Sequence, residues 1–244
     1  MITLRHLVTL PEFQEAVRLQ QEIWGFEDIE LLPVRLFVVA TKVGGQAVGA
    51  FDEGKMVGFL LAIPGLKAGG GEYLHSHMMG VTKAYRNAGV GRMLKLKQRE
   101  EALARGIKLV EWTFDPLEIK NAYFNMERLG AVVRRYVLNQ YGTTTSHLHG
   151  GLPTDRCVAE WYLGSARVEA LVGGVTLPRP PVLLRIRVPS DIELVRRNEP
   201  KRAREIQKGI SEQFLESFDR KWAVIGFERS DDFGTYLVGP WESE

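Results

Sequence analysis

At 244 residues the chain is long enough for one large domain or two small ones, with ample material for a buried core. Hydrophobic residues make up 45% and charged residues 25%, ordinary globular proportions, and the longest apolar runs, Leu36 to Ala40 and Phe59 to Ile63, fall far short of a bilayer span. The single cysteine, Cys157, forbids an internal disulfide and leaves no thiolate cluster for zinc; Met1 to His6 lack the charged and apolar regions of a secretory leader, so the expected location is cytoplasmic. The net charge of +2 predicts neither a nucleic-acid binder nor an acidic tail, but Lys83 to Lys108 hold eight basic residues against two acidic ones.

Ile2 to Val8 alternate well enough for a first strand, and Pro11 stands where a helix would start. Apolar residues at Phe13, Ala16, Val17, Leu19 and Ile23 form its stripe, which Trp24-Gly25 ends. A second helix is expected over Pro33 to Thr41, then two strands, Gln46 to Phe51 and Met56 to Ile63, joined by a turn at Asp52 to Lys55. After the loop Gly69-Gly70-Gly71 come a strand at Tyr73 to Val81, a long helix to about Arg105, a strand at Lys108 to Phe114, a helix at Ile119 to Leu129 and a strand at Ala131 to Tyr141. This order predicts a mixed α/β sheet in a domain spanning about residues 1–150. The remainder, 151–244, is expected to be an extension: a strand at Asp155 to Leu163, a linker at Thr176 to Pro181, then a βαββ unit from Val182 to Val238 with its helix at Pro200 to Ser217. So small a unit leaves edges to satisfy, which predicts packing on the first part or on a second copy as a homodimer.

The most informative stretch runs from Gly80 to Leu94, where a strand ends, a turn Arg86-Asn87-Ala88-Gly89-Val90-Gly91 follows, and a basic helix begins. Small residues let the backbone approach a phosphate, successive N–H groups converge on its oxygens, and the helix N-terminus adds a favourable dipole. A P-loop would need Lys-Ser or Lys-Thr after its last glycine, and the dinucleotide fingerprint would need glycine where Leu94 stands.

On these residues the chain resembles the GNAT acyl-CoA-dependent N-acyltransferases. The family's Arg/Gln-x-x-Gly-x-Gly/Ala matches Arg86 to Gly91, its preceding valine matches Val81, and its element order fits about residues 2–141. His75 to Val81, Trp112 to Leu117, Asn121 to Asn125 and Leu129 to Ala131 further resemble a subgroup of predicted acetyltransferases with a C-terminal extension, some of them associated with N-succinylamino acid racemases. The resemblance implies a GNAT-like fold with a C-terminal βαββ extension and transfer of an acyl group from acetyl-CoA, or succinyl-CoA, to the amine of a small molecule such as an amino acid. It also implies that the pyrophosphate sits on Asn87, Ala88, Gly89, Val90 and Gly91 beside Arg86, that pantetheine pairs with the Met79, Gly80 and Val81 strand, and that Asn121 bonds its amides.

An ammonium ion must lose a proton before it attacks, which calls for a base. His75 and His77, two residues apart on one strand face, are the candidates, with Glu111 next. Many family members place a tyrosine acid four residues before the glycine that ends the last helix. Here that position is Met126, and Tyr123, three residues earlier, is the geometric substitute. A catalytically silent CoA-binding module is the rival class, with Met126 as its support. A metal enzyme built on the pairs His75/His77 and His147/His149 is disfavoured because nothing fixes the pairs in space, and nucleic-acid binding by the basic helix because a polyanionic cofactor already accounts for the charge, so no metal, nucleic acid or membrane is among the expected partners.

Overall fold

The computed structural model describes residues 1–142, 151–175 and 178–242. They form ten strands and seven α-helices in a mixed α/β arrangement. His147, His149 and the first two residues of the expected linker lie outside the described residues.

The described residues divide into two compact units, the first beginning at Met1 and ending at Glu111 and the second beginning at Trp112. The division of contacts therefore falls at Glu111/Trp112, well upstream of the boundary near residue 150 that the composition suggested. The reason is packing: the second half of the expected first domain shares its contacts with the extension, as described below.

In the first unit β1 (Thr3–His6), β2 (Gln46–Asp52), β3 (Lys55–Leu66) and β4 (Glu72–Val81) follow one another as antiparallel neighbours, and β5 (Leu109–Phe114) starts parallel to β4. Helix α1 (Leu10–Trp24) is launched by a capping box: Thr9 accepts the Glu12 N–H, and Glu12 bonds back to the Thr9 N–H. Gly25, at φ 67°, ends it in the left-handed conformation. With α2 (Val34–Lys42), α1 covers one sheet face through Phe13, Leu19, Ile23, Phe37, Phe59 and Leu61. The opposite face receives α3 (Val90–Ala104), whose buried side is Val90, Leu94, Lys95, Gln98 and Ala102. Gly80 is a packing requirement: a Cβ there would stand 2.6 Å from the Trp24 ring and 2.7 Å from Ile23.

In the second unit the expected helix from Ile119 to Leu129 is interrupted. The α-helical turns of α4 (Ile119–Tyr123) give way to a π-helical stretch, Phe124–Arg128, in which the Leu129 N–H bonds the Phe124 carbonyl five residues back. Strands β7 (Arg156–Tyr162), β6 (Val132–Val137), β9 (Trp222–Arg229), β10 (Phe233–Pro240) and β8 (Leu184–Pro189) are neighbours in that spatial order. Three helices join them: α5 (Ala166–Val172), capped by Ser165; α6 (Ile192–Asn198); and α7 (Pro200–Asp219). The tail from β8 onward is thus βααββ, not βαββ. The seven-residue α6 is too short to show an amphipathic period in sequence.

The extension grips the segment between β5 and β6 residue by residue. Arg196 of α6 is buried and reaches both Asp115 Oδ2, at 2.7 Å, and Glu118 Oε1, at 2.8 Å, while Asp115 Oδ1 accepts the Leu117 N–H. The Tyr236 hydroxyl of β10 donates to the Pro116 carbonyl at 2.6 Å, and Glu127 accepts the Phe227 N–H of β9 at 2.7 Å. Burial and the nearby Asp115 charge raise the Glu118 pKa, against the opposing pull of Arg196. Replacing Arg196 by alanine would strand two carboxylates, and urea denaturation should read a loss of about 3–5 kcal/mol, whereas an equal exchange at exposed Arg202 should cost under about 1 kcal/mol.

Candidate active site

Strand β4 carries the candidate chemistry, and a bulge decides how. Its register on β3 runs His75 to Ile63 and Ser76 to Ala62, then resumes with Met78 opposite Leu61, so His77 has no opposite number. The extra residue reverses the alternation. Upstream, Ser76 faces α3, where the Lys95 Nζ donates to its hydroxyl at 2.8 Å. Downstream, Met79 and Val81 face α3 in turn, both within 4.0 Å of where a Gly91 Cβ would stand. His75 and His77 share the other face, their rings 5.7 Å apart.

That face holds a polar group larger than the sequence suggested. Glu111 is buried on β5 directly opposite His75 and forms an ion pair with Lys67, from the loop between β3 and β4. The Lys67 ammonium also lies 4.6 Å from the centre of the Tyr73 ring. Gly65, opposite Tyr73, makes room: a Cβ there would meet the ring at 2.5 Å. Glu111 is therefore committed to a cation, which favours its role as a fixed negative charge over that of a base. Lys67 has no local sequence signal, because only the hairpin register brings it to Glu111. Tyr73 does have one: it stands two and four residues before the histidines.

Burial depresses both imidazoles. His75 is brought to about 4, first by desolvation and then by the neighbouring His77, against the pull of Glu111. His77 is lowered by desolvation. Both are therefore neutral at pH 7 and able to accept a proton.

At the far end of β4 the turn has the form expected of an anion cradle. Asn87 at φ 64° and Gly89 at φ 82° are both left-handed, and Gly89 is the N-cap of α3, whose first amides no side chain caps. Arg86 turns the other way: its guanidinium donates to the carbonyls of Val81, at 3.3 Å, and Ile23, at 3.5 Å, tying the strand end to α1. Among the described residues β4 pairs with β5 only at Leu74 and His75, so its edge from His77 to Val81 has no strand partner on that side. Main-chain donors and acceptors of Met79, Gly80 and Val81 lie along that stretch.

Much of the basic run turns out to be structural. Lys95 is buried between Ser76 and Gln98, its pKa pushed well down by desolvation, Lys97 pairs with Glu100 and Glu101, and Arg105 bonds the Gly44 carbonyl at 2.6 Å. The local charge excess is thus spent partly within the protein, not held wholly for an anionic ligand.

The remaining candidates stand on the second unit. Asn121 is exposed on α4. Tyr123 is half-buried, with the Arg229 guanidinium 4.1 Å from its ring centre. Met126 is fully buried in the π-helical stretch, so its position supplies neither a proton donor nor an exposed surface.

Residues 10–130 match the sequence model of the acetyltransferase (GNAT) family. Solved structures of similar fold include the ribosomal-protein-S18-alanine N-acetyltransferase from Escherichia coli, 19% identical, with a TM-score of 0.53 and coverage of 68% of this chain and 96% of that one. Arabidopsis thaliana NAA60 in complex with a bisubstrate analogue is 14% identical at a TM-score of 0.55, covering 66% and 98%. A GNAT-family acetyltransferase from Streptococcus pneumoniae is 16% identical at 0.52, covering 67% and 100%. At these identities the likeness is one of fold, and it leaves about a third of this chain without counterpart. No curated protein sequence matches. Through residues 10–130 the chain belongs to the GNAT acetyltransferase family, and it is accordingly an acyl-CoA-dependent N-acetyltransferase. No helix among the described residues is long and apolar enough to cross a membrane.

The lowered histidine has a consequence for stability. Between about pH 6.5, where an unfolded histidine titrates, and the native value of about 4, the unfolded chain binds a proton at His75 that the native one does not. This contribution is therefore intact above about pH 6.5 and is lost as the pH falls through that window. In urea titrations His75→Gln should lose less stability between pH 7 and pH 4.5 than the parent; equal losses would contradict the assigned direction.

Proposed function

We propose that the chain transfers an acetyl group from acetyl-CoA to the amine of a small molecule, with amino acids the first class to test. The observation that carries this reading is the unpaired β4 edge running directly into the uncapped α3 amides. A pantetheine arm has the alternating amides to add to such an edge, and its pyrophosphate is the anion that Asn87 to Gly91 suit. The Met79 N–H is then the donor for the developing oxyanion. In functional terms residues 1–150 are the acyltransferase part and 151–244 the extension that supports it, either within one chain or across a homodimer. Succinyl-CoA is the alternative donor.

His77 is the proposed base, because the bulge projects it from the strand where it has no cross-strand neighbour; His75 and the Glu111–Lys67 pair stand behind it on the same face. The neutral His77 imidazole takes a proton from the incoming ammonium, while the Glu111 carboxylate acts on the neighbouring His75, opposing the lowering of its pKa. With Met126 buried, the thiolate leaves without an acid at that position.

Thiol release should be measured with acetyl-CoA and succinyl-CoA against D- and L-amino acids and polyamines. His77→Ala should lower kcat about 10²–10⁴-fold on whichever pair reacts while leaving acyl-CoA affinity unchanged. CoA binding with no thiol release to any amine would favour the silent CoA-binding module instead. Independently, Gly89→Ala places a Cβ at a left-handed position, costing about 1–2 kcal/mol, and should raise the dissociation constant for CoA about tenfold with the fold intact by circular dichroism.

A further inference from the structure

Lys95, on the buried side of α3, has no part in the chemistry proposed above. Its Nζ donates to the Ser76 hydroxyl of β4 at 2.8 Å and to Gln98 Oε1, one turn along its own helix, at 3.0 Å. All three residues are buried. Val90, Leu94 and Ala102 on the same side are apolar, and an apolar residue at 95 would fill the space without the cost of taking an amine out of water. That cost is felt by the group itself, whose pKa desolvation pushes well down. What an apolar residue would not do is fix the helix to one particular residue of the strand.

That residue stands at the bulge. Ser76 is the last residue of β4 in register with β3 before His77 is left over and Met78 resumes opposite Leu61. Past the bulge α3 meets the same strand again, closely and through a glycine: a Cβ on Gly91 would stand 3.6 Å from the Met79 side chain and 4.0 Å from that of Val81. The helix therefore contacts β4 on both sides of His77, Lys95 upstream and Gly91 downstream, two points separated by about 6 Å along the helix axis. Its N-terminus, at Gly89, is the cradle itself.

We propose that Lys95 is a positioning residue that fixes the anion cradle relative to the His77 bulge, so that a donor seated by its pyrophosphate presents its thioester to the stretch from His77 to Met79. This role rests on the acyl-CoA reading of the cradle and deepens it. Binding energy from a remote pyrophosphate helps the chemical step only if the two seats keep a fixed spacing. The helix supplies the stiffness, and the Lys95 contact with Ser76 supplies the second fixed point; held by Gly91 alone, the helix would be free to pivot over the strand.

Hydrogen exchange read by mass spectrometry, on the full chain with and without saturating CoA, tests the coupling whether or not an amine acceptor is found. In the parent, CoA should slow exchange both in the 87–91 turn and in the 74–78 stretch of β4. In Lys95→Met and in Ser76→Ala the turn should stay protected and the Kd for CoA unchanged, while the added protection of 74–78 is lost. Lys97→Met, which removes a lysine paired with Glu100 and Glu101, should behave as the parent, and circular dichroism should be unchanged in all three. With a reactive amine, Lys95→Met should lower kcat about 10–100-fold for acetyl-CoA but less than about twofold for acetyl-pantetheine, which has no pyrophosphate to seat. The proposal is overturned if CoA protects the turn alone in the parent, if 74–78 is protected as well in both variants as in the parent, or if the two donors lose rate equally, the mark of general damage to the strand. Loss of the coupling in exchange, with no thiol release to any amine even in the parent, would support the role of Lys95 and count against the transfer reading alone.

Discussion

One extra residue in β4 organises the candidate active site. Without the bulge at His77, strict alternation would send Met79 and Val81 to the face of the histidines and Gly80 toward α3. Gly80 would then no longer meet Trp24, and the side chains lining the α3 side would be exchanged for those of the α1 side. The bulge lets one strand present imidazoles to one layer upstream and apolar contacts to the other layer downstream. It also falls just past the last residue paired to β5, so the irregular backbone and the unpaired edge coincide.

Charge in this protein is mostly settled internally, and the exceptions are informative. Lys95, Arg196 and Glu111 are buried, each with polar or ionic partners, and each joins elements far apart in sequence. Such groups contribute little net stability when complete and cost much when broken, so they specify arrangement more than they strengthen it. The same accounting explains why a run of basic residues is a poor guide to a ligand: Lys95, Lys97 and Arg105 lie within one segment and all three serve the fold.

The elements of the first unit were legible in sequence, because each carries its own punctuation: Pro11, Gly25, the Asp52 to Lys55 turn and the Arg86 to Gly91 turn all mark ends through local conformation. What escaped was whatever depends on partners distant in the chain. The π-helical stretch reads as ordinary helix, since Met126, Glu127 and Arg128 are good helix formers and only its hydrogen bonds distinguish it. Helices α5 and α6, at seven residues each, are too short for a period to emerge. The Lys67–Glu111 pair needed the register of three strands, and Arg86 showed its charge but not the carbonyls that claim it. The compact units divide inside β5 because Arg196 and Tyr236 bind the residues after it, a fact that composition cannot record.

The open edge of β4 has a further side. A row of unsatisfied main-chain groups recruits any extended chain that offers complementary ones, another copy of the protein included. If a pantetheine arm lies along that edge as proposed, it also satisfies the main-chain groups that a second extended chain would otherwise pair with.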